Sequence, residues 1–186
     1  VSAALRARGM SLCVDLVLNH TAKEHAWAVK AKKGDPEYQD YYLMFDDDTE
    51  PNLYERTLVE VFPDNAPGSF THYPEIGKWV WTTFNEHQWD LNWANPQVFL
   101  ETVEIMMFLA NKGIDILRLD AVAFMWKRPG TRCQSEPEVH VILRALRAAC
   151  RIACPSVLHL EEAIVAPAEM LPYLGRGEHD GKEGNL

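Results

Sequence analysis

The chain has 186 residues, 47% hydrophobic and 24% charged, with a formal net charge of −9. These values fit a folded globular protein and argue against a disordered, collagenous or membrane-spanning one. So acidic a chain carries no basic stripe for neutralising phosphates, so neither nucleic acid nor an anionic membrane surface is expected as a partner, and the ligand is expected to be uncharged or cationic.

In chain order, residues 12–18 (Leu-Cys-Val-Asp-Leu-Val-Leu) form an almost continuous apolar run. Such a run predicts a parallel strand covered on both faces, and it ends in Asn19-His20. Residues 21–93 follow, punctuated by Pro36, Pro51, Pro63, Pro67 and Pro74 and holding five of the six Trp and five of the six Tyr. That cluster reads as a satellite core under a long loop, or as flat platforms for sugar rings; either way it marks a ligand-facing subdomain. Inside it, residues 78–84 alternate like a strand.

Asn95-Pro96 then starts a helix made apolar by Val98, Phe99, Val103, Met106, Phe108 and Leu109, and Gly113 stops it. Residues 114–120 (Ile-Asp-Ile-Leu-Arg-Leu-Asp) are a second strand. Ser135-Glu136-Pro137-Glu138 has the pattern of a capping box. Val139, Ile142, Leu143, Leu146, Cys150 and Ala153 then recur with helical period, and Arg144, Arg147 and Arg151 read as a solvated stripe opposite them. Residues 157–162, after Pro155, are a third strand ending in Glu161-Glu162.

Strands alternating with helices imply right-handed crossovers and a parallel sheet, either a barrel or a doubly wound sheet. No glycine-rich phosphate loop follows any of the three strands, which favours the barrel. Cys13, Cys133, Cys150 and Cys154 show no CxxC spacing and read as buried or idle thiols. Residues 1–10 lack the apolar middle of a signal peptide, and the first residue is Val1. A piece of a longer protein is expected, with its compartment, cytoplasmic or extracellular, left open.

Ligands of parallel α/β folds bind at the carboxyl ends of the strands. Here those ends carry Asn19 and His20, Arg118 and Asp120, and Glu162. Arg118 and Asp120, two apart on an extended strand, point the same way. A guanidinium beside a carboxylate favours the ionised acid that a nucleophile needs, and Glu162 supplies a second carboxyl for general acid work. Two carboxyls about 5 Å apart would describe a retaining glycosidase. Read from the residues alone, Arg118 and Asp120 are equally an ion pair closing a barrel layer, and His20 a satisfied histidine at a strand end. Asp15, in mid-strand, reads as a structural partner of a polar neighbour.

Residues 15–20 (Asp-Leu-Val-Leu-Asn-His) resemble the first signature of the α-amylase family of glycoside hydrolases. Residues 113–123 (Gly-Ile-Asp-Ile-Leu-Arg-Leu-Asp-Ala-Val-Ala) resemble the second, and within the family residues 81–85, 88–92 and 162–165 look most like its amylosucrase branch. The resemblance implies a partial (β/α)8 barrel, strands three to five: barrel segments at 1–20 and 94–186, and an aromatic B-type insertion at 21–93. It implies Asp120 as nucleophile, Glu162 as general acid/base and Arg118 positioning the nucleophile. It implies that His20 hydrogen-bonds the glucosyl ring, that Phe84 lines the acceptor side, that Arg118 and Ala123 also belong to the substrate-binding residues, and that Asp15 and Asn19 are structural residues near the site.

Glu161 is then the solvated or structural neighbour of the acid. Sucrose and an α-glucan are the implied substrates, and no cofactor or metal is expected, although Asn19 lies where related amylases often hold calcium. Transfer to an α-glucan is expected; sucrose hydrolysis, trehalose synthesis, α-glucosidase activity or a catalytically silent binding protein are the alternatives. The family's third acid, from a His-Asp pair, has no counterpart, because His179-Asp180 follows Glu162 too closely. Alone, the chain is expected to be poorly stable and inactive, because open edge strands leave backbone groups unpaired.

Overall fold

The structure, a computed structural model, describes residues 1–175 and 184. Its strands are β1 (Cys13–Val17), β2 (His20–Ala22), β3 (Met44–Phe45), β4 (Phe70–Tyr73), β5 (Lys78–Trp81), β6 (Gln88–Asp90), β7 (Ile116–Asp120) and β8 (Leu158–Glu161). Its helices are α1 (Ser2–Arg6), α2 (Ala26–Lys32), α3 (Pro36–Gln39), α4 (Thr49–Glu55), α5 (Pro96–Asn111), α6 (Pro137–Ala153) and α7 (Pro167–Met170). Among the described residues no helix is long and apolar enough to cross a membrane.

The chain divides into two compact units, residues 1–18, 99–123 and 135–186 in the first and residues 19–98 and 124–134 in the second. The boundaries expected from sequence were 20/21 and 93/94; the second unit as folded also takes in the segment after β7.

In the first unit β1, β7 and β8 form a parallel sheet in that order. Each strand is added on the same side of the last, with no reversal of direction of the kind that marks a doubly wound sheet. Leu117 and Leu119 of β7 and His159 of β8 are fully buried, as are Met106 of α5 and Val139, Leu143, Leu146 and Cys150 of α6. The α6 spacing of four, three and four is the stripe a helix needs to cover a sheet. Each such aliphatic side chain contributes on the order of 1.5–3 kcal/mol by leaving water.

Gly113 ends α5 with φ +82°, and a Cβ there would sit 3.0 Å from Ser2 Oγ. That hydroxyl donates to the Lys112 carbonyl at 2.7 Å, so glycine is required both for the turn and for the docking of α1.

Four expectations are corrected. Ser135 is not the N-cap of α6: that place falls to Glu136, without a side-chain cap. Pro137, whose fixed φ suits the first helical turn, sets the start. Ser135 itself has φ +55°, and its hydroxyl pairs with that of Tyr173 at 2.7 Å. Arg147 is not solvated: it is 7% exposed and donates from Nη1 to the Val157 carbonyl at 2.9 Å, because the residue four beyond Leu143 falls on the buried stripe and the start of β8 needs a donor. β1 is not covered on both faces: Cys13, Asp15 and Val17 are exposed, and only the alternate positions are partly covered. Cys13 is therefore an exposed thiol rather than a buried one, being on the open side of the pleat.

The second unit has two antiparallel sheets, β2 with β6 and β3-β5-β4. Its aromatic rings are its core. Trp81 packs tilted against Phe70 at 4.5 Å and edge-on against Tyr54 at 4.7 Å between centroids, and Trp89 packs edge-on against Tyr73 at 5.0 Å and Tyr42 at 5.5 Å. Trp81, Trp89 and Tyr41 are at most 1% exposed, which gives these rings the satellite-core role of the two weighed from sequence.

Candidate active site

Strand alternation puts every second side chain on one face. On the face of the first unit opposite Leu117 and Leu119 stand Asp15 of β1, Arg118 and Asp120 of β7, and Glu162 just past β8. The β1–β7 register pairs Asp15 with Arg118 and Val17 with Asp120. The β7–β8 register pairs Leu119 with Glu161, and the Glu162 amide donates to the Leu119 carbonyl at 2.9 Å. One rung further along, Asp120 and Glu162 are therefore neighbours on adjacent strands, whose spacing is about 4.8 Å.

Arg118 joins the group. Its Nη1 donates to Asp15 Oδ1 at 2.7 Å and its Nη2 pairs with Glu162 Oε1 at 2.6 Å. The Asp15 hydrogen bond first, then the attraction of Glu162 and Asp120, holds the guanidinium even more firmly protonated than usual. The side chain is one-third exposed, so these pairs are worth little as stability and more as orientation. One fork fixed by Asp15 leaves the other aimed at Glu162, which is what a rigid planar donor does and a lysine would not.

The backbone bends sharply behind Asp120. Ala121 has φ +59° and is 2% exposed, and a 3-10 turn, Val122–Phe124, follows. A left-handed residue with a Cβ is strained, and such strain is held only where surrounding structure demands it. Ala123 is fully buried in that turn, its side chain closed to solvent. Both carboxylate oxygens of Glu161, on the opposite face of the strand from Glu162, are buried, so of its two expected readings the structural one applies and the solvated one does not.

In the second unit, Asn19 is 1% exposed, with Nδ2 3.4 Å from His20 Nδ1. His20 Nε2 lies 2.8 Å from Gln88 Nε2, and its ring is 5.2 Å from that of Phe84. Phe84 is 7% exposed and leans on Phe124 at 5.3 Å. The Lys127 ammonium is ringed by oxygens: Asp90 Oδ2 at 2.6 Å, the Phe124 carbonyl at 2.7 Å, Thr83 Oγ1 at 3.3 Å and Asn19 Oδ1 at 3.4 Å. Asp90 also accepts from the Thr83 amide at 3.0 Å and hydroxyl at 2.6 Å, so the buried charges are fully satisfied. A cavity of about 410 Å³ opens in this unit beside Thr71, Thr82, Asn85 and His87, and none of the expected site residues lines it.

Lys127 and Asp90 were missed as a pair by sequence reasoning. The available signal was a lone lysine closing the apolar stretch 121–126, where an unpaired charge would be costly. The strain at Ala121 had no signal, since alanine does not advertise a left-handed turn. His179 and Asp180 lie outside the described residues.

The profile of the family described as alpha amylase, catalytic domain, matches residues 1–184. A glucosylglycerate phosphorylase of Spirochaeta thermophila is 40% identical over 167 residues, 88% of this chain and 27% of that protein. A trehalose synthase of Thermus thermophilus is 36% identical over 172 residues, 92% of this chain and 17% of that protein. The chain thus spans less than a third of the length of either relative. The solved structure of the trehalulose synthase MutB from Pseudomonas mesoacidophila MX-45 matches with a TM-score of 0.82 at 26% identity, over 98% of this chain and 34% of that one. A mutant of MutB in complex with the substrate sucrose matches with a TM-score of 0.80 at the same identity and coverage.

Proposed function

We propose, from the premise that the chain belongs to the alpha-amylase family, that it carries the nucleophile and the acid/base of an enzyme that transfers glucosyl units with retention. The catalytic domain of that family is a (β/α)8 barrel, and the three parallel strands are part of such a barrel. The observation that supports the reading is the β7–β8 register, which sets the Asp120 and Glu162 carboxyls side by side at the ends of adjacent strands.

In the first half-reaction the Asp120 carboxylate attacks the anomeric carbon, the glycosidic C–O bond breaks, and Glu162 gives its proton to the leaving oxygen. In the second, an acceptor hydroxyl loses its proton to Glu162 and its oxygen displaces Asp120. Arg118 holds one Glu162 oxygen and leaves the other for the leaving group. Residues 21–93 are the insertion of the barrel; His20, at the end of the barrel segment before it, hydrogen-bonds the glucosyl ring, and Phe84, within it, lines the acceptor side. Ala123 shapes the site through its backbone only, since its side chain is buried.

The donor is a glucosyl disaccharide of the sucrose or trehalose kind, and transfer to an α-glucan is the amylosucrase-type outcome. The similarity to a trehalose synthase and to a glucosylglycerate phosphorylase favours a second reading, transfer to a small acceptor. A fluorinated glucosyl substrate given to the full-length protein should esterify Asp120; a label on another residue rejects the assignment. Product analysis then separates the acceptors: glucan, free glucose, trehalose, a sucrose isomer or a glucosyl phosphate.

A further inference from the structure

The first unit holds a second cluster of reactive side chains, on its helices rather than at its strand ends. Cys150 and Cys154 stand about one turn apart at the end of α6, and Met107 belongs to α5. Cys154 Sγ lies 3.9 Å from Met107 Sδ, and Cys150, four residues before Cys154 on α6, is the neighbouring thiol along the same side of the helix. Cys150 is fully buried while Cys154 and Met107 are half-buried, so the cluster has a closed floor and an accessible side.

The donor set is sulfur alone. Among the described residues no three His, Cys, Asp or Glu side chains are gathered to hold a metal ion, so a four-coordinate zinc-type cage has no ligands here. Hard cations want oxygen, whereas thiolates with a thioether suit a soft ion that accepts two or three ligands. The positive charge of Arg147 acts on both Cys150 and Cys154, which offsets the charge a dithiolate would bring into this interior.

We infer that Cys150, Cys154 and Met107 form a binding site for a soft monovalent ion of the Cu(I) or Ag(I) class. On binding, the two S–H protons pass to solvent and two metal–thiolate bonds form, with Met107 as the weaker third ligand. No electron changes hands. The bound group carries one net negative charge, which Arg147 faces.

The test titrates the reduced, oxygen-free full-length protein with Cu(I) against a colorimetric Cu(I) chelator. The unsubstituted protein should hold one tight equivalent that Cys154→Ser loses or weakens by about 100-fold, and that Met107→Leu weakens by about 10-fold. Met107→Leu conserves volume at a half-buried position, and an unchanged near-UV spectrum checks that it folds. A Cu(I) affinity in Cys154→Ser within about threefold of the unsubstituted protein, or one untouched by Met107→Leu, overturns the site.

Discussion

Lys127 and Asp90 form an ion pair sealed inside the second unit, with Nζ 2.6 Å from Oδ2 and side chains 5% and 0% exposed. Water does not screen such a pair, and neither partner tolerates the loss of the other. Asp90→Asn or Lys127→Met should each cost about 3–5 kcal/mol, measured as the urea midpoint of the second unit's unfolding. The loss should be nearly independent of salt up to about 0.5 M. A cost under about 1 kcal/mol in either variant would contradict the burial of the pair.

Arg118 offers the contrary case, an ion pair arranged for function. Because it is one-third exposed, removing it should change stability by no more than about 1 kcal/mol. If the fork positions Glu162 for its proton transfer, Arg118→Lys should lower kcat/KM by about 100-fold or more with thermal stability retained, since a single ammonium cannot serve Asp15 and Glu162 together. Steady-state kinetics on the best donor, beside a melting curve, separate the two effects.

The sequence made the first unit readable where its physics is local. The three strands lie within the apolar runs at 12–18, 114–120 and 157–162, because a strand of a sheet needs an apolar side chain at alternate positions and these runs supply it, even where the other face is open. Asp15, Arg118, Asp120 and Glu162 fall on one face because the two-residue period of a strand is visible in any sequence. What stayed hidden depends on partners distant in sequence. Nothing near Arg147 says that the carbonyl of Val157 waits for it, and nothing near Lys127 names Asp90, 37 positions away. Ser135 misled for a local reason, since Pro137 outweighs a capping hydroxyl in setting where α6 begins.

His159 makes the first unit sensitive to mild acid. Burial first, then the nearby charge of Arg147, lowers its pKa from 6.5 to about 4. The folded state therefore resists a proton that the unfolded chain accepts. The stability is fully present above pH 6.5 and is lost as the pH falls from there through 4, in total on the order of 3 kcal/mol. Urea midpoints at pH 7.5 and 4.5 should differ by more in the natural chain than in His159→Leu. Equal differences would mean that another group drives the acid transition.

Ala121 bears on turnover because it follows Asp120 in a left-handed conformation, φ +59°, inside a closed environment. A branched side chain cannot adopt that conformation cheaply, so Ala121→Val should cost at least about 2 kcal/mol in thermal unfolding. Ala121→Gly relieves the strain but widens the unfolded ensemble, and the two effects nearly cancel, leaving stability within about 1 kcal/mol. The same glycine frees the backbone that aims Asp120, so kcat should fall by about 10-fold even though the protein is as stable as before. Unchanged kcat in Ala121→Gly would show that the turn serves the packing of the first unit and not the placement of the carboxylate.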